Sequence, residues 1–572
     1  MEIQRRTLLK GGLAAAVQFL VGCQVTAKSV NALIGFRPVP FAKGVGPMPV
    51  ISKDYEYEVL VPWGTSLQPD GPEFQHPMTE KAQAVQVGIG HDGMAFFPLS
   101  DGGKRGLLAL NHEYGRNRHV LGKPLPDNLT DVRTSQYAHG MSIVEVAEVD
   151  GRWQRVESQY ARRIHGNTET IFSGPAANSP ALENKARNQY RGTFSNCSNG
   201  RTPWNTYLTC EENFNLYFAA SADFTPTEAQ TRYGLNKTGA RYGWHMFDER
   251  FDLSKPEYQN ESNRFGWVME VDPFDSEQVP VKRTALGRLK HEGAGHGVSR
   301  DGRVVIYMGD DQAFEHIYKF VSAGNWQTMQ ARSVSPLDEG VLYTARFDED
   351  GTGEWLPLTI DNPMLKKSFK DQADILINTR LAATAVGATD MDRPEWTTVT
   401  PSGDVYCSLT NNVQRKKTNA ANPQAPNKNG HIIRWQDSDD LLGTSFTWNI
   451  FLRADDHFAG ENSFGSADGL WADPDGRLFM MTDGDQRDER CNQLLVADTK
   501  TGEIRRLLTG VSGCEITGIT STPDRRTLFA NIQHPGNGDP TLTNFPAEFD
   551  GKTVPRDCTL VIRRRDGGIV GS

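Results

Sequence analysis

Short apolar runs bounded by Pro, Asp and Gly turns recur along the chain, and long helical periodicity is scarce, a pattern that predicts an all-β protein. Four segments share one design: VSRDGRVVIYMGDD from Val298, VTPSGDVYCSLTNN from Val399, ADPDGRLFMMTDGD from Ala472 and STPDRRTLFANIQH from Ser521. Each is a turn, then a run of β-forming residues, then a cluster of Asp, Asn, Gln or His. Two earlier strands end alike, on Asn111-His112-Glu113 and on Glu211-Glu212-Asn213. The strand before each turn begins on a residue able to bind a ligand: His91-Asp92, Cys197, Glu292, Glu395, Asp468 and Glu515. An antiparallel hairpin brings its two open ends together, so these positions should meet in pairs. Six such hairpins predict a six-bladed β-propeller with long loop or helical insertions between blades, in which all the strand ends converge on one mouth. The polar, Gly/Pro-punctuated inserts RRIHGNTETIFSGPAANSPALENKARNQYRGTF and FTPTEAQTRYGLNKTGARYGWHMFDERFDLSKPE fit walls or covers for that mouth.

Composition narrows the partners. The 572 residues carry 61 Lys+Arg against 71 Asp+Glu, a net charge of -10, with no basic block, which excludes nucleic acid as an expected partner. The start, MEIQRRTLLKGGLAAAVQFLVGCQ, pairs Arg5 and Arg6 ahead of a short apolar stretch and reads as a twin-arginine export signal over residues 1–23. LVGC resembles a lipoprotein cleavage box, which would place a lipid anchor on Cys23. Residues 24–80 then read as an N-terminal extension and residues 81–572 as one propeller domain. Cys197, Cys210, Cys407, Cys491, Cys514 and Cys558 form no CxxC pair, which argues against a zinc ribbon.

A ring of carboxylates in a confined mouth cannot stay ionised without cations, because like charges and desolvation both disfavour the charged form. Oxygen donors of this kind suit calcium. Cys197, in SNCSNG, occupies a strand-start position held elsewhere by acids and supplies a softer donor, suited to iron or zinc. Arg393, in MDRPEWTTV, lies two residues before Glu395, and its planar fork suits a phosphate. Metal-assisted hydrolysis of a phosphate ester is the chemistry these groups permit.

HDGMAFFPL, LNHEYG, AHGMSIVEV, SNCSNGRTPWNTYLTCEENF, KHEGAGH, LDEGVLYTARFD, MDRPEWTTV, SFGSADGLWADPDGRLF and CEITGITSTPDRRTLFANIQHPG, in order from His91 to Gly536, together resemble the PhoX-type alkaline phosphatases. The resemblance implies a six-bladed propeller, twin-arginine export, and a phosphomonoesterase centre of more than one ferric ion, oxo-bridged, with more than one calcium ion. By motif it implies Cys197 and Glu292 as iron ligands, Asp311, Glu395 and either Asp483 or Asp485 as further ligands, and Arg393 as the phosphate-binding residue. Glu211, Asp310, Asp468 and Glu515 join the expected ligands by repeat position. Ala467 stands where the family pattern would have proline. The expectation is a monomeric, exported phosphatase, periplasmic, extracellular or lipid-anchored, with Arg393, Cys197 and Glu292 as its catalytic residues. The alternatives are a calcium-dependent propeller lactonase or phosphodiesterase, and a non-catalytic calcium-binding propeller.

Overall fold

The computed structural model describes residues 33–572 apart from 101, 187–188 and 240. The signal segment 1–23, with Arg5, Arg6 and Cys23, and residues 24–32 of the extension lie outside the described residues.

All six expected hairpins are present. The first pairs His91–Pro98 with Arg105–His112, the second Asn196–Arg201 with Tyr207–Glu211, and the third His291–Val298 with Arg303–Asp310. The fourth pairs Pro394–Val399 with Asp404–Leu409, the fifth Ala467–Ala472 with Arg477–Thr482, and the sixth Glu515–Ser521 with Thr527–Gln533. Further antiparallel strands extend each hairpin outward into a sheet. The first strands of the hairpins neighbour one another in chain order, and the sixth neighbours the first.

Period-2 alternation explains how each sheet packs on two others. On Arg303–Asp310, Val304, Ile306 and Met308 bury against Leu208 and Trp267 of the second sheet, while Val305 and Tyr307 bury against Val405 and Ile433 of the fourth. The other interfaces repeat this arrangement. Phe97, Ile143 and Tyr207 join the first sheet to the second, and Tyr406, Ile432 and Leu478 join the fourth to the fifth. Met481, Val496, Ile516 and Leu528 join the fifth to the sixth, and Phe529 and Val561 pack the sixth back onto Phe96 and Leu108 of the first. Each fully buried aliphatic side chain contributes about 2 kcal/mol.

Two features depart from the sequence reading. The sheets of the third and fourth hairpins are joined at their outer edges, where Thr352–Pro357 pairs with Ser445–Arg453. The expected boundary at residue 80 cuts through sheets: Val50–Ile51 pairs with Ile504–Thr509 in the fifth sheet, and Tyr55–Leu60 pairs with Cys558–Arg564 in the sixth. Phe41 anchors the same segment, with the guanidinium of Arg487 3.8 Å from its ring centre.

Candidate metal centre

Two local devices present the open ends, the first in all six hairpins and the second in five of them, the third hairpin excepted. The first strand of each hairpin carries one residue more than the second strand can pair: His91 and Met94 oppose His112 and Leu110, and the same extra residue recurs between Asn196 and Asn199, Glu292 and Gly295, Pro394 and Thr397, Ala467 and Leu470, and Thr517 and Ile519. A bulge of this kind bends the strand and re-aims the side chain beside it. The second device is a left-handed residue two positions ahead of Asp92, Cys197, Glu395, Asp468 and Glu515: Gly90, Ser195, Arg393, Ser466 and Gly513 have φ of 68°, 54°, 55°, 50° and 67°. For a residue with a Cβ this conformation costs about 1–3 kcal/mol, so neighbours must hold it. Ser195 is held by its hydroxyl, which accepts from the Asn213 N–H at 2.9 Å. Arg393 is held by its guanidinium, which donates Nε and Nη2 to the two carboxylate oxygens of Asp311 at 2.7 and 2.8 Å.

The open ends enclose a chamber of about 190 Å³ lined by Cys197, Glu292, Glu395, Asp468 and Glu515 from the first strands. Glu113, Glu212, Asp311, Asp483 and His534, each one residue beyond the end of a second strand, complete the acidic wall. Donor atoms converge in groups that span no more than 4.8 Å: Asp92, Glu113 and Cys197; Cys197, Glu212 and Glu292; Glu292, Asp311 and Glu395; and Asp483, Glu515 and His534. Cys197 belongs to two of these groups, and its thiol donates to Glu292 Oε1 at 2.6 Å.

Burial and mutual repulsion push Glu113, Glu212, Glu292, Glu395, Asp468 and Glu515 well above the usual carboxylate range, and burial raises Asp92 to about 7. Asp483 is also raised by burial. The Cys197 thiol is pushed up by burial and by the Asp92 and Glu292 charges. Asp311 moves the other way: burial opposes its charge, but Arg393 and Lys290 together hold it below its ordinary value. Asp92 Oδ1 and Glu292 Oε2 are buried and accept no hydrogen bond. Eight lining acids, with so few protein cations among them, are the donor set of a cation site. The thiol within it fits a transition metal.

Of the expected ligands, Cys197, Glu292, Asp311, Glu395, Asp468, Asp483 and Glu515 meet in the chamber, and Arg393 stands at its rim with a side chain 31% exposed. Glu211 and Asp310 do not meet there. Side chains alternate along a strand, so the terminal residue of each second strand points out of the chamber and its successor points in. Glu211 instead accepts from Lys282 Nζ at 2.7 Å and from the Gly266 and Trp267 N–H groups. Asp310 takes the Arg380 guanidinium, with Nε at 2.8 Å. Asp485 is solvent-exposed, carried past the chamber by the turn at Gly484, which leaves Asp483 as the acid of TDGD that lines it. Asp92, Glu113, Glu212 and His534, not among the expected ligands, also supply donor atoms: Asp92 from the start of a first strand and the others from just beyond a second. Counting one step past each second strand finds the last three. Lys290, whose Nζ donates to Asn213 Oδ1 at 3.0 Å, gave no sequence signal.

Residues 36–536 match the family described as Alkaline phosphatase PhoX. The chain belongs to the PhoX alkaline phosphatase family. A solved structure titled Pseudomonas fluorescens PhoX in complex with vanadate, a transition state analogue, shares 43% identity at a TM-score of 0.89, covering 94% of this chain and 99% of that one. A gluconolactonase from Xanthomonas campestris has a TM-score of 0.33 and 10% identity, covering 83% of this chain and 86% of that one. No curated protein matches. As a PhoX alkaline phosphatase the chain hydrolyses phosphoesters.

Proposed function

We propose that this PhoX protein is an exported phosphomonoesterase of broad substrate range, built as a six-bladed β-propeller whose chamber holds iron at Cys197 and calcium among the surrounding acids. The observation that carries this reading is one soft donor, Cys197 Sγ, within 4.8 Å of carboxylates in two donor groups, beside the guanidinium of Arg393. The six inter-sheet cores, the sixth packing back on the first, support the propeller. A calcium-only lactonase or binding scaffold needs neither a thiol in its donor set nor a phosphate fork.

When bound, the ions neutralise the acids, polarise a phosphoryl oxygen and supply a reactive oxygen at neutral pH. The protein's own groups do the rest. Arg393 binds two non-bridging phosphoryl oxygens through its fork, which requires it to loosen its grip on Asp311 and Glu395. Tyr114, Tyr217 and Tyr242 also line the chamber and supply its apolar wall. The Cys197–Glu292 hydrogen bond ties the second and third hairpins together at the chamber.

Export rests on Arg5 and Arg6, and lipidation on Cys23. Oligomeric state is proposed as monomeric. The test is elemental analysis of protein purified without chelator, together with assays on a chromogenic phosphomonoester and the matching diester. We expect iron and calcium, and orthophosphate release from the monoester. In Cys197→Ser we expect loss of iron and of activity with the sheets intact. Iron-free wild-type protein of full activity refutes the mixed-metal centre, and preference for the diester refutes the monoesterase.

A further inference from the structure

A bulge aims a side chain but leaves backbone carbonyls without ladder partners, and a buried carbonyl left alone costs free energy. In the first and second hairpins those carbonyls are claimed by buried asparagines from a neighbouring hairpin. Asn111, 0% exposed on the second strand of the first hairpin, donates both Nδ2 hydrogens, to the carbonyls of Cys197 at 2.6 Å and Ser198 at 2.9 Å. Its Oδ1 accepts from the Thr209 hydroxyl at 2.8 Å, which fixes the amide's orientation. Asn531, also 0% exposed, on the second strand of the sixth hairpin, donates to the Asp92 carbonyl at 2.6 Å and accepts from the Thr559 hydroxyl at 2.7 Å.

The parallel extends to the glycines that let the strands approach. A Cβ on Gly93 would lie 2.7 Å from the Cys197 carbonyl oxygen, and one on Gly518 would lie 2.0 Å from the Asp92 carbonyl oxygen. The same device, one glycine and one hydroxyl-oriented asparagine, is therefore built twice. It serves Cys197 and Asp92, two donors that share one group in the chamber.

We propose that Asn111 and Asn531 are positioning residues that fix the directions of Cys197 and Asp92 by clamping those residues' own carbonyls from the preceding hairpin. Neither asparagine lines the chamber. Each acts through the peptide of the residue that does. The inference rests on the metal-centre reading above, but one of its two readouts does not require activity or metal identity.

The test uses full-length protein as purified and follows two rates: metal release to EDTA by elemental analysis, and modification of Cys197 by N-ethylmaleimide, read at that residue by mass spectrometry. Asn111→Asp, which keeps size and the Thr209 bond but removes the donors, and Asn111→Ser should each raise Cys197 modification about fivefold or more. Asn531→Ser should accelerate metal release while leaving Cys197 modification within about twofold of wild type. Thr209→Val, which removes only the orienting hydroxyl, should raise Cys197 modification about two- to threefold. A merely structural role predicts that the two asparagine variants raise thiol modification equally, and that result overturns the proposal. So do folded Asn111 variants with wild-type values for both rates. If no Asn111 variant folds, Thr209→Val decides, and an unchanged rate there overturns it.

Discussion

Glu211 and Glu212 are adjacent glutamates, both buried, and they face opposite demands. Glu211 has a private cation, Lys282, with backbone donors around it, so its charge is matched inside the protein. Glu212 faces the chamber with Cys197 and Glu292, where negative groups outnumber the protein's positive ones. Asp310 and Asp311 have the same register in the next hairpin, Asp310 with Arg380 on the outer side and Asp311 facing the chamber, where the Arg393 fork answers it. An acid answered by the protein's own cation is matched inside the fold and costly to strand, while acids gathered without enough protein cations store repulsion that a bound cation relieves. One step of strand register separates the two roles.

The sharpest way to break this comparison is to neutralise one acid on each side. Glu292→Gln should lower kcat/KM on a phosphomonoester by about a thousandfold and reduce metal content. A variant that keeps both would place Glu292 with the structural acids. Glu211→Gln should behave in the reverse way: it strands Lys282, costs about 3 kcal/mol of stability by denaturant unfolding, and leaves the activity of the folded fraction within about twofold. Loss of metal at unchanged stability would contradict the division. Arg393→Lys keeps the charge beside Asp311 but loses the fork, and kcat/KM should fall about tenfold with metal retained and orthophosphate inhibition weakened. Wild-type inhibition by orthophosphate would return Arg393 to a purely structural pairing.

The smallest effect is a pH dependence in chelator-treated protein. Asp92 has its folded value raised to about 7 by burial, from an ordinary value of 3.8. Its contribution to stability is then fully present below the ordinary value, declines as pH rises above it, and is gone once pH has passed about 7. The Tm of chelated protein should therefore fall as pH rises from about 4 to about 7 and level off above that, and Asp92→Asn should flatten the slope. An equal slope in the variant assigns the effect elsewhere.

The hairpins were legible in the sequence because turn, strand and polar end recur in a fixed order, and the convergence of their ends follows from that order. Cys197 and Arg393 were legible as departures from the repeat, a thiol among acids and a cation before one. The side each acid faces was not legible. Segments ending in two acids, such as TCEEN and MGDD, do not say which acid is the last paired residue, and the bulge on the first strand shifts the count again. Lys282 and Arg380, which decide the matter for Glu211 and Asp310, lie 71 and 70 residues away from them in sequence. The pairing of Tyr55–Leu60, in the expected N-terminal extension, with Cys558–Arg564 was not legible for a related reason: it is a contact between distant segments that local pattern does not encode.

That last pairing also orders events in time. Tyr55–Leu60 is among the first strands to be synthesised, and its partner Cys558–Arg564 is nearly the last, so the early strand must wait, unpaired, for almost the whole chain to be made. During synthesis its edge is open to solvent and to other chains. A nascent molecule halted at residue 550 would have its fifth sheet assembled and its sixth without the strand that joins both ends. Completion of the sixth sheet is thus a late event, reported by protection of the amides of residues 55–60.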